Sequence, residues 1–199
     1  MRLLATIACA LTFVGITAAP PVLANDYERA WLDAHNAERA DFGVHPLSWS
    51  EELENEAREW AENLARDQIM RHSSYSERGG KGENLWMGTA GYYTAEEMIA
   101  HFAEEKQYFF HGRFPEVSTT GDWGDVGHYT QMVWPGTREV GCAMARGASY
   151  DFLVCRYYPS GNRMGQQIMP GRVVNARGTP ETSGRTGRPR VSQTRRLGG

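Results

Sequence analysis

Cysteine is scarce here: three among 199 residues, and Cys9 lies inside the N-terminal apolar run. So few sulfurs exclude the multi-bridge scaffolds of small secreted domains, and the core must come from packing. Long apolar runs are also missing, because a bilayer span needs ~20 residues. The longest, Leu3 to Ile16, follows Arg2 and leads to a small-residue exit at Val22-Leu23-Ala24. Residues 1–24 therefore read as a secretory signal cut after Ala24, with Ala19 as an earlier alternative. No other stretch can cross a membrane. Basic charge is missing from the body: the formal charge is −3, yet residues 171–199 hold seven arginines against the single acid Glu181. The remainder is more acidic than the total, which argues against nucleic acid as a partner. There is no P-loop, no dinucleotide fingerprint, no HExxH helix and no internal repeat.

What is present is one globular domain, residues 25–170, with 6 Trp, 9 Tyr and 7 Phe in the chain to anchor a core. Beyond it, residues 171–199 consist of Gly, Pro, Ser, Thr and Arg with almost no core formers, so they read as a disordered tail. Its arginines are either solvated or rest on an anionic surface such as membrane or wall polymer. Export leaves Cys142 and Cys155, an even pair that reads as a disulfide in an oxidising compartment, with two free thiols as the alternative.

Asn25 and Asp26 can cap a helix from Tyr27 to Phe42, closed by Gly43 with Pro46 beyond. Ser48-Trp49-Ser50-Glu51 reads as a capping box opening a second helix that runs to about Arg71. Leu53, Ala57, Trp60, Ala61 and Leu64 recur there at helical spacing. Gly82 to Met87 is a short apolar segment carrying Glu83. Thr94-Ala95-Glu96-Glu97 caps a third helix, to about Tyr108 or Phe110. Residues 140–145 and 151–158 read as paired strands turning at Gly147 and Ser149. Setting Cys142 opposite Cys155 places Met144 against Leu153 and Arg146 against Asp151. Helices interleaved with short strands predict an α+β, α-β-α layered domain.

Several polar residues stand in places that require a partner. A carboxylate buried at Glu83 costs several kcal/mol unless paired. On the third helix, Met98, Ile99, Phe102, Phe109 and Phe110 define a buried stripe; Glu105 falls at its margin and Glu104 nearly opposite, so Glu105 is either aimed inward or a boundary acid bonded to Lys106 or Arg113. In Gly127-His128-Tyr129-Thr130-Gln131-Met132-Val133-Trp134, a helix would set His128, Gln131 and Met132 on one face. That face either lines something, or His128 is a satisfied core histidine. His35, Asn36 and Arg39, one turn of the first helix, read as bonding loops across the fold. Tyr129, Gln131 and Asn162 either line a cleft or satisfy buried backbone.

Four stretches, in order, resemble one family: His35-Asn36-x-x-Arg39, Gly82-Glu83-Asn84-Leu85, Gly127 to Trp134 with Thr137, and Leu153-Val154-Cys155-Arg156-Tyr157-x-Pro159-x-Gly161-Asn162. That family is the CAP superfamily, whose SCP domain occurs in cysteine-rich secretory proteins, antigen 5 and plant pathogenesis-related proteins. The Trp123-to-Trp134 wording looks most like bacterial members. The resemblance implies a three-layer α-β-α sandwich of the CAP type with a central cleft. It also implies a divalent metal site, zinc or similar, at His72, Glu83, Glu105 and His128. Many relatives have tryptophan where this chain has Phe102, which leaves Glu104 as the alternative acid.

Three functions follow as expectations. The first is a secreted binding protein, extracellular or periplasmic, whose cleft holds the metal and a lipid, sterol or other small ligand. The second is a metal-dependent hydrolase, a protease or esterase, with Glu83, Glu105 or His128 in catalysis. The third is an envelope or host interaction protein tethered by its arginine-rich tail.

Overall fold

The structure, a computed structural model, describes residues 24–170. The expected leader up to residue 23 and the expected tail, 171–199, lie outside the described residues. The chain runs α1 (Ala24–Phe42), β1 (Ser48–Trp49), α2 (Glu51–Asp67), β2 (Gly82–Thr89), α3 (Ala95–Ala103), β3 (Phe109–Arg113), β4 (Glu116–Ser118), α4 (Gly127–Met132), β5 (Glu139–Arg146), β6 (Tyr150–Tyr158) and β7 (Gln167–Ile168). Turns of 3-10 helix cover Glu104–Tyr108 and Trp123–Val126.

The layers follow from strand periodicity. Successive residues of a strand face opposite sides, so a strand apolar at every position must be covered twice. In β6, Phe152 and Val154 pack with Ala57, Ala61 and Leu64 of α2. Their neighbours Leu153, Cys155 and Tyr157 join the other cluster, with Trp31 of α1, Phe102 of α3 and Met132 of α4. Leu85 and Trp86 of β2 divide in the same way, as do Ala143 and Cys142 of β5. A sheet ordered β1-β5-β6-β2 therefore lies between α2 and the other helices, a three-layer α-β-α sandwich. Strand β1 is parallel to β5 and the other pairs are antiparallel.

The β5–β6 hairpin has the expected register: Cys142 and Cys155 are opposite and bonded, Met144 faces Leu153, and Arg146 faces Asp151. On the α2 side the sheet approaches the helix so closely that a Cβ on Gly141 would collide with the backbone of Ser50, Leu53 and Glu54. Glycine is required there by contact.

Several boundaries differ from the sequence reading. Helix α1 begins at Ala24, so Asn25 and Asp26 lie within it and do not cap it. Ser50, not Ser48, caps α2, its side chain accepting the Leu53 N–H at 3.4 Å. Ser48 and Trp49 are drawn instead into pairing with Glu139 and Val140. Helix α2 stops at Asp67, short of Arg71, because Gln68 adopts the left-handed conformation at φ 54°. Helix α3 ends at Ala103; the chain tightens into a 3-10 turn and then becomes β3, leaving Phe110 exposed. A second sheet, β4-β3-β7, is built from segments too short to show a pattern.

Candidate functional site

A cleft of about 490 Å³ opens between the start of β2, the N-terminal part of α4 and the loop after β6. His72, Glu83, Asn84, His128, Gln131 and Asn162 line it, with Arg78 and Lys81; Tyr75 and Trp123 add aromatic walls.

Glu83 lies opposite Arg156 across the β2–β6 ladder, and its side chain is fully buried. Arg156 Nη1 is 2.7 Å from Oε2, which also accepts the Ser73 hydroxyl at 2.8 Å. Oε1 accepts the Ser73 N–H at 3.1 Å and His72 Nδ1 at 2.6 Å. Burial raises the Glu83 pKa, but the His72 bond, the Arg156 charge and the Ser73 bond outweigh it, and the carboxyl lies below its ordinary value. The acid is held ionised. His72 itself is more than half exposed, 58% of its side chain.

A second acid–histidine pair stands at α4. Glu105 Oε1 accepts His128 Nδ1 at 2.6 Å, and Oε2 accepts the N–H groups of His128 at 2.8 Å and Tyr129 at 3.0 Å. Glu104 is exposed. Phe102 stacks on the His128 imidazole, ring centroids 4.9 Å apart and 20° between planes. Because a carboxylate only accepts, each histidine donates from Nδ1, and a neutral ring then keeps the lone pair on Nε2.

The two acids are thus bonded to the histidines. Four residues expected as one ligand shell form two dyads. Among the described residues, His35, Cys142 and Cys155 are the group whose metal-ligating atoms all lie within 4.8 Å of one another. Both sulfurs there are in the disulfide, so that group holds no ion.

The other marked residues divide between cleft and core. Asn84 lines the cleft and donates from Nδ2 to His128 O at 3.0 Å and Tyr157 Oη at 3.1 Å. Gln131 accepts the Gly161 N–H at 3.0 Å, and a Cβ on Gly82 would strike its amide. Asn162 donates to Gly127 O and accepts from Thr130. Tyr129 belongs to the core, packed on Phe42 and Phe109; burial pushes its hydroxyl up to about 12. His35 is buried, Nδ1 donating to Trp31 O and Nε2 accepting from Tyr157 Oη, each at 2.7 Å. Arg39 is buried among carbonyls of His45, Met132, Trp134 and Thr137. Asn36 makes two bonds to the Leu47 backbone. Asn36 and Arg39 fasten α1 to loops, as expected, whereas His35 bonds its own helix and strand β6 instead of a loop.

The residues that hold Glu83 ionised, Arg156 and Arg78 by charge and Ser73 by hydrogen bonds, have no role assigned by the sequence alone. Ser73 lies between α2 and β2, where no local pattern marks a serine. Arg156 carried a signal in principle, since a buried acid on one strand needs a cation on its neighbour.

Residues 32–157 match the family model described as CAP, the cysteine-rich secretory protein family. The chain belongs to the CAP family. It is 39% identical over 145 residues to pathogenesis-related protein 1C of Nicotiana tabacum, covering 72% of this chain and 81% of the tobacco protein. It is 36% identical over 144 residues to the human Golgi-associated plant pathogenesis-related protein 1, covering 72% and 89%. Among solved structures, NaASP2 crystallised with Zn2+ superimposes with a TM-score of 0.59 at 25% identity, covering 71% of this chain and 83% of that one. BmVAL-1 shares the CAP fold at a TM-score of 0.63 and 22% identity, covering 75% and 86%. No helix among the described residues is long and apolar enough to cross a membrane.

Proposed function

We propose that this CAP protein is a secreted binding module whose cleft holds a divalent metal, zinc foremost, beside a lipid, sterol or other small ligand. The observation that carries the reading is the pair of dyads: each cleft histidine gives Nδ1 to an acid and keeps Nε2 for another bond. Metal-binding histidines commonly use the second nitrogen on a carboxylate, which fixes the ring and raises its basicity. The donor set fits zinc, with His72 and His128 as ligands and Glu83 and Glu105 as their supports. The zinc in the NaASP2 crystal, within the same fold, agrees with this. Export and a bacterial affinity rest on residues 1–24 and on the Trp123–Trp134 wording; the relatives named above are from a plant and a human.

The hydrolase alternative would use Glu83 or Glu105 as a base. Glu83 is committed to Arg156, Ser73 and His72, and Glu105 to His128 and two backbone N–H groups, so neither is placed as a free proton acceptor. The binding reading is favoured. Added zinc should raise the melting temperature of the wild type and leave a His72→Ala/His128→Ala double variant unmoved. No shift in the wild type, or equal shifts in both, removes the metal.

A further inference from the structure

The cleft carries a surplus of positive charge. Of its lining residues Glu83 is the one acid, against Arg78 and Lys81. Lys81 is balanced from outside the cleft, its Nζ 2.5 Å from Glu56 Oε1. Glu83, however, is shared between two guanidiniums: Arg156 Nη1 stands 2.7 Å from Oε2, and Arg78 Nη1 stands 3.4 Å from Oε1. One carboxylate neutralises only one of them. Burial lowers the Arg156 pKa first; Glu83 opposes this, and the charge of Arg78 lowers it again. The next acid along the loop, Glu77, is exposed and accepts the Ser74 N–H. A surplus cation is thus held in a domain whose net charge is negative.

That surplus ends on an open group. Arg78 spends Nη1 on Ser73 O, at 3.0 Å, and on Glu83. Its Nε is enclosed, but Nη2 is not enclosed and bonds nothing among the described residues, and 22% of the side chain stays exposed. The guanidinium carbon lies 5.8 Å from the centre of the Tyr75 ring, another wall of the cleft. Ser73, Glu83 and Tyr75 therefore hold the planar fork in place without using its Nη2 edge. A guanidinium edge held ready in this way suits the oxygens of a carboxylate or phosphate. Hydrogen bonds between such charged partners are roughly twice as strong as neutral ones.

We infer that the small ligand of the cleft is an anion, its carboxylate or phosphate received by Arg78 Nη2. This rests on the reading of the cleft as a ligand site and is independent of the metal. The test uses the metal-free full chain, labelled with 15N, at an ionic strength held constant with sodium chloride. Benzoate and inorganic phosphate are the probes, benzamide is the neutral counterpart of benzoate, and the backbone amides of residues 78 to 82 are followed. At least one anion should shift them saturably, while the indole N–H of Trp31 in the core stays in place. A response to one anion alone names which oxyanion the site takes. Arg78→Gln should weaken that anion at least about tenfold, and Arg78→Lys, which keeps the charge but not the fork, at least about threefold. No saturable shift up to about 50 mM of either anion overturns the inference. So does a benzamide response equal to that of benzoate, or undiminished binding by either variant. Anion binding in a protein whose melting temperature ignores zinc removes the metal and leaves the anion site. A zinc response without anion binding does the reverse.

Discussion

Glu105 holds His128 twice, accepting its imidazole Nδ1–H at 2.6 Å through one oxygen and its backbone N–H at 2.8 Å through the other. Side chain and backbone of the same residue are thereby locked to one carboxylate, which fixes where Nε2 points. Glu105→Gln replaces one accepting oxygen by an NH2 group that faces an N–H donor. Zinc affinity by calorimetric titration should fall by about tenfold or more, the range for supports behind a ligand. Glu104→Gln, at the exposed neighbour, should match wild type. Equal loss in the two variants would contradict the assignment.

His35 predicts a pH dependence of folding. Burial, the dominant cause, lowers its pKa to about 4, against an ordinary value near 6.5. Between those values the unfolded chain binds the proton and the folded one does not, so stability is full above about pH 6.5 and declines toward pH 4. The difference corresponds to about 3 kcal/mol across the window. Urea unfolding of His35→Gln should show lower stability at pH 7 but a shallower decline on acidification. Parallel curves for the two proteins would count against the buried neutral ring.

Arg39 spreads its guanidinium over four carbonyls, with bonds of 2.7 to 3.1 Å. A lysine ammonium is a single point and cannot span that fork. Arg39→Lys should therefore cost about 3 kcal/mol despite keeping the charge, since carbonyls are left unmatched in the core. Chemical denaturation measures this, and a cost below about 1 kcal/mol would show that the carbonyls find other donors.

The disulfide joins residues 13 apart in sequence. A crosslink closing a loop of that size stabilises by about 3 kcal/mol, mainly by restricting the unfolded chain. Cys142→Ala/Cys155→Ala should lose roughly that amount and keep the zinc-induced rise in melting temperature. Loss of the zinc response in a variant that remains folded would tie the bridge to the cleft.

Where a pattern is local, the sequence carried it. The β5–β6 hairpin was readable because two cysteines and an Arg146–Asp151 pair agree on one register. The inward placement of Glu105 was reached through an α-helical count, although the chain there is a 3-10 turn. The contact survives because the turn begins directly at the end of α3, where Phe102 already stacks on His128. What stayed hidden is non-local. Ser48 pairs with Glu139, and Glu83 with Arg156, through register between distant segments, and nothing near either residue encodes its partner. The same holds for the dyads: the resemblance gave four residues as ligands, and only the folded chain shows that two of them hold the other two.

Strand β6 alternates its attachments residue by residue, Phe152 and Val154 to one helical layer and Leu153 and Cys155 to the other. Inserting or deleting a single residue there would exchange the two sets beyond it, turning Arg156 away from Glu83 and pulling Cys155 out of reach of Cys142. The 147–149 turn, exposed at its tip, bears no such constraint. Length variation among homologous chains should therefore accumulate in that turn and be purged from the strand it leads into.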